Sequence, residues 1–337
     1  MSLDLGATFA PEATHLDGLL SERDVRNEGR LPLGIAFLDD CLGGIYPRDL
    51  LLFGAGTGVG KTALAVQAAM AGSDAGREVY LFALEAEVGE VGARLYFEEL
   101  GRRVNDKRLD FAGWWRGQWR GLDEKHGPEI KKALAPRLAR LHTYYKRRGD
   151  FTTLNLSQQL EAIAERAGMI VLDHVHEIDS EDDRAELRAQ KRVINLLRDI
   201  ALDLSVPVVA VSHIRKREKG GPLTLLPTTD DLHGSGFLSK KATQVVLFGR
   251  EWEGPRPEPN LSPTLMQVDK DRHGRASKIV ARMYYRMDQA RYENAYELGK
   301  LEWKDRRQQW TSLPAYQLPA WAERDARRLE ADEEIPF

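Results

Sequence analysis

One cysteine is too few for a disulfide within a chain or for a thiolate zinc ribbon, and Cys41 is the only one among these 337 residues. It lies in the apolar run FLDDCLGG, which points to a core position rather than a catalytic thiol. Long hydrophobic runs are missing as well. No apolar stretch reaches the roughly 18 residues of a membrane span, so no bilayer crossing is expected. The opening MSLDLGATFAPEATH has no basic segment leading into an apolar one, hence no secretory or transit signal, and the cytoplasm is the expected compartment. A strong overall charge is absent too, at a net −3, which excludes nothing because a chain average hides local fields. With 42% hydrophobic and 30% charged residues, the composition is that of a globular protein with one large core.

Charge is unevenly placed. Residues 101–150 hold 14 Lys/Arg against 6 Asp/Glu, and this basic, helical-looking insertion is either a solvated face or a surface for nucleic acid or a partner. Within it, Trp114, Trp115 and Trp119 are expected to pack against the core rather than to serve as stacking platforms. Low-complexity sequence is confined to two Pro-rich patches, 253–263 and 312–321, read as a loop and a tail.

Short apolar runs suited to buried strands occur at DLLLFG, VYLFAL, MIVLD, VPVVAVS, TQVVLFG, LMQVD and KIVARMYY. Val193, Leu197, Ile200 and Leu204 recur at helical spacing between two of these runs. Strands alternating with helices imply an α/β fold, a mostly parallel twisted sheet flanked by helices, with ligands at the carboxyl ends of the strands.

Residues 51–62, LLFGAGTGVGKT, join an apolar strand to a glycine-rich turn and then to the helix-forming ALAVQAAMA. In this context the turn is a P-loop. Ala55, Gly56, Thr57, Gly58, Val59, Gly60, Lys61 and Thr62 are the expected nucleotide-binding residues. Backbone N–H groups converge on phosphate oxygens, Lys61 reaches the β/γ-phosphates and the Thr62 hydroxyl ligates Mg²⁺. The strict pattern has Gly where this chain has Ala55. Hydrolysis of ATP also requires a carboxylate for the Mg²⁺ shell and a group that activates water. Asp173, at the tip of MIVLD, is the expected metal residue, and Glu85, just past VYLFAL, the expected base. Glu87 and Glu90 lie farther from the strand end and read as surface helix.

The order of these segments resembles the RecA-like ATPase domain of the DnaB and phage-type hexameric replicative helicases, from about Leu31 to about Tyr292. RLPLGIAFLDDCLGGIYPRDLLLFGAGTGVGKT looks like that family's entry into its P-loop, and ALEAEVGEVGARL resembles the segment with its catalytic glutamate, which again indicates Glu85. VLDHVHEID is similar to the Walker B strand of the phage branch, with Asp173 as the metal residue. VPVVAVSHIRKREKGG resembles the strand bearing a polar phosphate sensor, here His213. TLMQVDKDRHGRAS resembles the strand ending in a Lys-x-Arg pair, which assigns Lys270 and Arg272 to the nucleotide of a neighbouring subunit. DDLHGSGFLSKKA resembles the next motif, although His233 stands where relatives carry Arg.

Arg215, Lys216, Arg217 and Lys219 are four cations beside Gly220 and Gly221, suited to gripping phosphates without reading bases, and the family's central-channel DNA loop lies here. The resemblance implies a ring, a hexamer by analogy, that hydrolyses ATP with Mg²⁺ and moves 5′ to 3′ on single-stranded DNA. A recombination mediator of RecA or KaiC type, or a nucleotide-dependent scaffold, is the alternative. Expected boundaries are 1–30 for an N-terminal extension or linker helix, too short for an independent domain, 31–292 for the ATPase core, and 293–337 for a C-terminal extension. The sequence finishes Asp332-Glu333-Glu334-Ile335-Pro336-Phe337, resembling the acidic tip of single-stranded-DNA-binding proteins, and this implies docking into replication or repair partners.

Overall fold

Strand β1 (Leu50–Ala55) sends alternate side chains to two separate apolar layers, Leu51, Phe53 and Ala55 to one and Leu50 and Leu52 to the other. That two-sided burial is what a continuous apolar run achieves when helices cover both faces of a sheet. The computed structural model describes residues 13–146, 149, 151–179, 186–214, 224–232, 235–251, 258–274, 279–305 and 307–322.

The chain begins with α1 (Ala13–Glu28) and α2 (Ala36–Leu42), the latter burying Cys41 as its composition foretold. After β1 come α3 (Lys61–Asp74), β2 (Val79–Ala83), α4 (Glu90–Val104), α5 (Phe111–Trp115), α6 (Arg120–Leu138) and β3 (Leu141–Tyr145). Next are α7 (Thr153–Ile163), β4 (Met169–Asp173), α8 (Glu186–Asp203), β5 (Val208–His213), α9 (Ser235–Lys241) and β6 (Gln244–Arg250). Strands β7 (Leu261–Asp271), β8 (Val280–Arg286), β9 (Arg291–Lys304) and β10 (Arg307–Ser312) complete a single sheet ordered β10-β9-β8-β7-β6-β1-β5-β4-β2-β3.

From β6 to β3 all neighbours are parallel, whereas β6 to β10 form an antiparallel meander. The first layer packs α2 and α3 on one face, and the second packs α7, α8 and α9 on the other. Val193 and Leu197 of α8 are fully buried there, with Ile200 and Leu204 at the margin, as their spacing requires.

The stretch 101–150 is not wholly helical. Its last part is β3, an edge strand paired with β2, and its helices close over a small core of their own around Phe97, Leu109, Ile130 and Leu134. Trp114 stacks on Tyr96 and donates its Nε1–H to Asp123, and Trp119 packs beside it, while Trp115 stays half exposed. Strand β9 runs across position 292, so the sheet continues through the boundary expected there and on to Ser312.

Candidate nucleotide and phosphoryl-transfer site

Ala55, the last residue of β1, pairs with His213 at the end of β5, and Ala83 of β2 pairs with Asp173 at the end of β4. Four strand tips therefore stand side by side at the carboxyl edge of the parallel half, where α/β sheets bind ligands. Ala55 keeps strand geometry and is fully buried, so the site of the missing glycine makes no conformational demand for one. The demand falls on Gly58 and Gly60, at φ +75 and +101. At Gly60, moreover, a β-carbon would lie 2.6 Å from the Tyr292 hydroxyl.

Lys61 opens α3 and donates from Nζ to the Gly56 carbonyl at 2.8 Å, folding back over the loop. Burial lowers its pKa, against the pull of the Asp173 and Glu85 charges. Tyr292, fully buried on β9, donates its hydroxyl to the Val59 carbonyl at 2.6 Å. Its backbone N–H is held by Gln67 of α3 at 3.1 Å, and Gln67 also donates to Gly34. This clamp ties the loop to the antiparallel half of the sheet, and nothing local in the sequence announces it.

Asp173 is 3% exposed; burial pushes its carboxyl up to about 6, opposed by a hydrogen bond with Thr62 and by Lys61. Its Oδ1 has no partner among the described residues. A buried carboxylate beside a threonine hydroxyl, with one oxygen to spare, is a hard, all-oxygen donor set that fits Mg²⁺. Leu84 donates its N–H to the Asp173 carbonyl, which sets Glu85 immediately beyond, its side chain 61% exposed. Of its rivals, Glu90 is held in an ion pair with Arg94 at 2.7 Å and also accepts the Glu87 backbone N–H.

His213 Nε2 lies 2.8 Å from His174 Nε2, and the latter is 3.2 Å from Glu85 and 3.6 Å from Glu177. Burial, then the neighbouring His213, His176 and Lys61, push the pKa of His174 down to about 3. Sequence reasoning singled out His213 and passed over His174 and His176, although the HVH that follows the strand tip was the available signal.

Lys270 and Arg272 lie elsewhere. Gln244, the first residue of β6, pairs with Asp271, so the pair sits at the opposite edge of the sheet from the P-loop of its own chain. Lys270 Nζ donates to the carbonyls of Ser239, Lys240 and Ala242, capping the end of α9. Arg272 lines a large cavity between α1 and that edge, together with Arg48, Arg198 and His273. Arg215, Lys216, Arg217, Lys219, His233 and the tail residues Asp332, Glu333, Glu334, Ile335, Pro336 and Phe337 lie outside the described residues. No described helix is long and apolar enough to cross a membrane.

The family model "DnaB-like helicase C terminal domain" matches residues 30–294. The replicative DNA helicase DnaB of Leifsonia xyli subsp. xyli is 25% identical over 252 residues, covering 72% of this chain and 52% of the relative. Among solved structures, an ATPase domain superposes with a TM-score of 0.68 at 18% identity, covering 85% of this chain and 99% of that one. A DnaB-like replicative helicase, described with its interactions with primase, gives 0.62 at 18% identity, covering 78% and 61%. The chain spans about half the length of the DnaB relatives it matches.

Proposed function

The chain belongs to the family of DnaB-like helicase C-terminal domains, and from that membership we propose that it is an ATP-hydrolysing motor that assembles as a ring and moves along single-stranded DNA. The observation that carries the reading is the separation of the site's parts. The P-loop, Asp173 and Glu85 meet at one edge of the sheet, while Arg272 stands at the other.

Each residue has a task its surroundings suit. The loop from Ala55 to Thr62, with Gly56, Thr57, Gly58, Val59 and Gly60 between, cradles the phosphates, and Lys61 leaves the Gly56 carbonyl to meet them. Thr62 and Asp173 would hold Mg²⁺, which when bound offsets charge on the phosphate oxygens. Glu85, open to solvent, takes a proton from the attacking water, and His213 senses the terminal phosphate from the tip of β5.

Arg272 cannot serve its own P-loop. The six residues of β1 alone put the two edges about 17 Å apart at roughly 3.3 Å per residue. It acts on a neighbour's nucleotide, as an arginine supplied in trans does. Ile214 and Leu232 form an antiparallel bridge beside His213, and Arg215, Lys216, Arg217 and Lys219 follow Ile214 directly in the sequence. Phosphate sensing and DNA grip are thereby adjacent in the chain.

The test is a forked duplex with a 5′ single-stranded tail, incubated with protein, Mg²⁺ and ATP. A ring motor separates the strands in an ATP-dependent way. Hydrolysis without strand separation would instead identify a mediator or scaffold.

A further inference from the structure

His174 is 3% exposed, and its Nδ1 has no partner among the described residues, so Nε2 is the atom through which the ring meets its polar neighbours. Three groups from three elements converge on that atom: Glu85 beyond β2 at 3.2 Å, His213 at the end of β5 at 2.8 Å, and more distantly Glu177 at 3.6 Å. The rings of His174 and His213 stand at 89° to each other with their Nε2 atoms facing. Between two neutral imidazoles and a carboxylate, one shared proton satisfies only one of these approaches.

A metal ion satisfies all of them at once. Glu85, His174 and His213 each offer one donor atom, all within 4.8 Å of one another. Bonds of about 2.0–2.1 Å in a tetrahedral arrangement place donors roughly 3.3 Å apart, against the 3.2 and 2.8 Å that separate His174 from Glu85 and from His213. Two imidazoles and one carboxylate are borderline donors that favour Zn²⁺, Co²⁺ or Ni²⁺ over Mg²⁺, whose all-oxygen position at Thr62 and Asp173 is a different one. Exposed Glu85 leaves the outer side of the site open to an ion and to water.

We propose that Glu85, His174 and His213 form a binding site for a zinc-class transition-metal ion, and that its occupation arrests ATP hydrolysis by withdrawing Glu85 and His213 from their work. The binding stands on the geometry alone, and the arrest rests on the reading of Glu85 as the base.

The experiment uses the full chain, stripped with a chelator and kept free of nucleotide, titrated with Co²⁺ in millimolar Mg²⁺ and followed by visible d–d absorption. Wild type takes up one equivalent, which Zn²⁺ displaces. His213→Gln and Glu85→Gln each weaken uptake at least tenfold, since even outer partners of a ligand are worth about 10–100-fold in affinity. His174→Gln weakens it as well. Should that buried substitution unfold the protein, the two more exposed positions still decide the matter, with circular dichroism confirming their fold. Absence of saturable uptake, or wild-type uptake in both His213→Gln and Glu85→Gln, overturns the site. In parallel, one equivalent of Zn²⁺ stops wild-type ATP turnover and a chelator restores it; uptake without inhibition overturns the arrest. A chain that binds Co²⁺ through these residues yet never hydrolyses ATP refutes the motor and leaves the metal site standing.

Discussion

A carboxylate that deprotonates water needs solvent on one side and the reacting phosphate on the other, and Glu85, the proposed base, lies beyond a strand tip with its side chain 61% exposed. Glu85→Gln keeps the shape and removes the base. Turnover should fall by about 10²- to 10⁴-fold while a fluorescent ATP analogue still binds; loss of binding instead would make the residue part of the nucleotide cradle. Asp39 carries a pH signature unrelated to catalysis. Burial pushes its carboxyl from 3.8 up to about 6, against backbone N–H donors of Leu33, Gly34 and Ile35. The native state thus holds the proton more tightly than the unfolded chain, and the stability this brings is present below pH 4 and lost as pH rises through about 6. Asp39→Asn keeps an acceptor for the Leu33 N–H and cannot ionise. Its stability relative to wild type should climb between pH 4 and 7 in denaturant midpoints, and a flat or falling difference contradicts the sign. Lys61, Thr62 and Asp173 were legible in the sequence because strand, turn and helix are local signals. His174 was not, because its meaning comes from strand tips some 40 to 90 residues apart in sequence brought within hydrogen-bond reach.

The P-loop belongs to β1 and α3, yet an element of the antiparallel meander holds its shape. Tyr292 of β9 reaches across to Val59, and Gln67 fastens the same residue from α3. Tyr292→Phe deletes one buried hydrogen bond and leaves the Val59 carbonyl without it, at a cost of about 0.5–1.5 kcal/mol. A lower unfolding midpoint together with weaker nucleotide binding is expected; unchanged nucleotide affinity would reduce the residue to plain packing. The two margins of the sheet show why sequence periodicity stopped short. Strands β3, β9 and β10 present few fully buried residues, and LHTYY or RQQWTS shows no apolar run to mark it. The strands buried on both faces were all visible, from Leu50 to Arg250, because two covering layers demand continuous apolar sequence. The edge strands take their place from hydrogen-bonding neighbours instead.

Across the whole molecule, the proposed catalytic groups lie at two edges of one sheet, and the proposed ring is what would bring them together. Arg272 stands with Arg48, Arg198 and His273 around the cavity under α1, far from Lys61 of its own chain. Lys270, by contrast, is held by three backbone carbonyls and steadies the end of α9 next to it. The resemblance to ring helicases implies a Lys-x-Arg pair here; in the structure Lys270 is tied to the end of α9 and Arg272 lines the cavity. Arg272→Ala should lower turnover by about a thousandfold or more, with nucleotide binding intact. The most direct measurement is the ATPase rate of wild type mixed with rising fractions of Arg272→Ala subunits at constant total protein. Completion of each site by its neighbour predicts a rate that falls faster than the wild-type fraction; a strictly proportional fall, or a variant as active as wild type when alone, would contradict it.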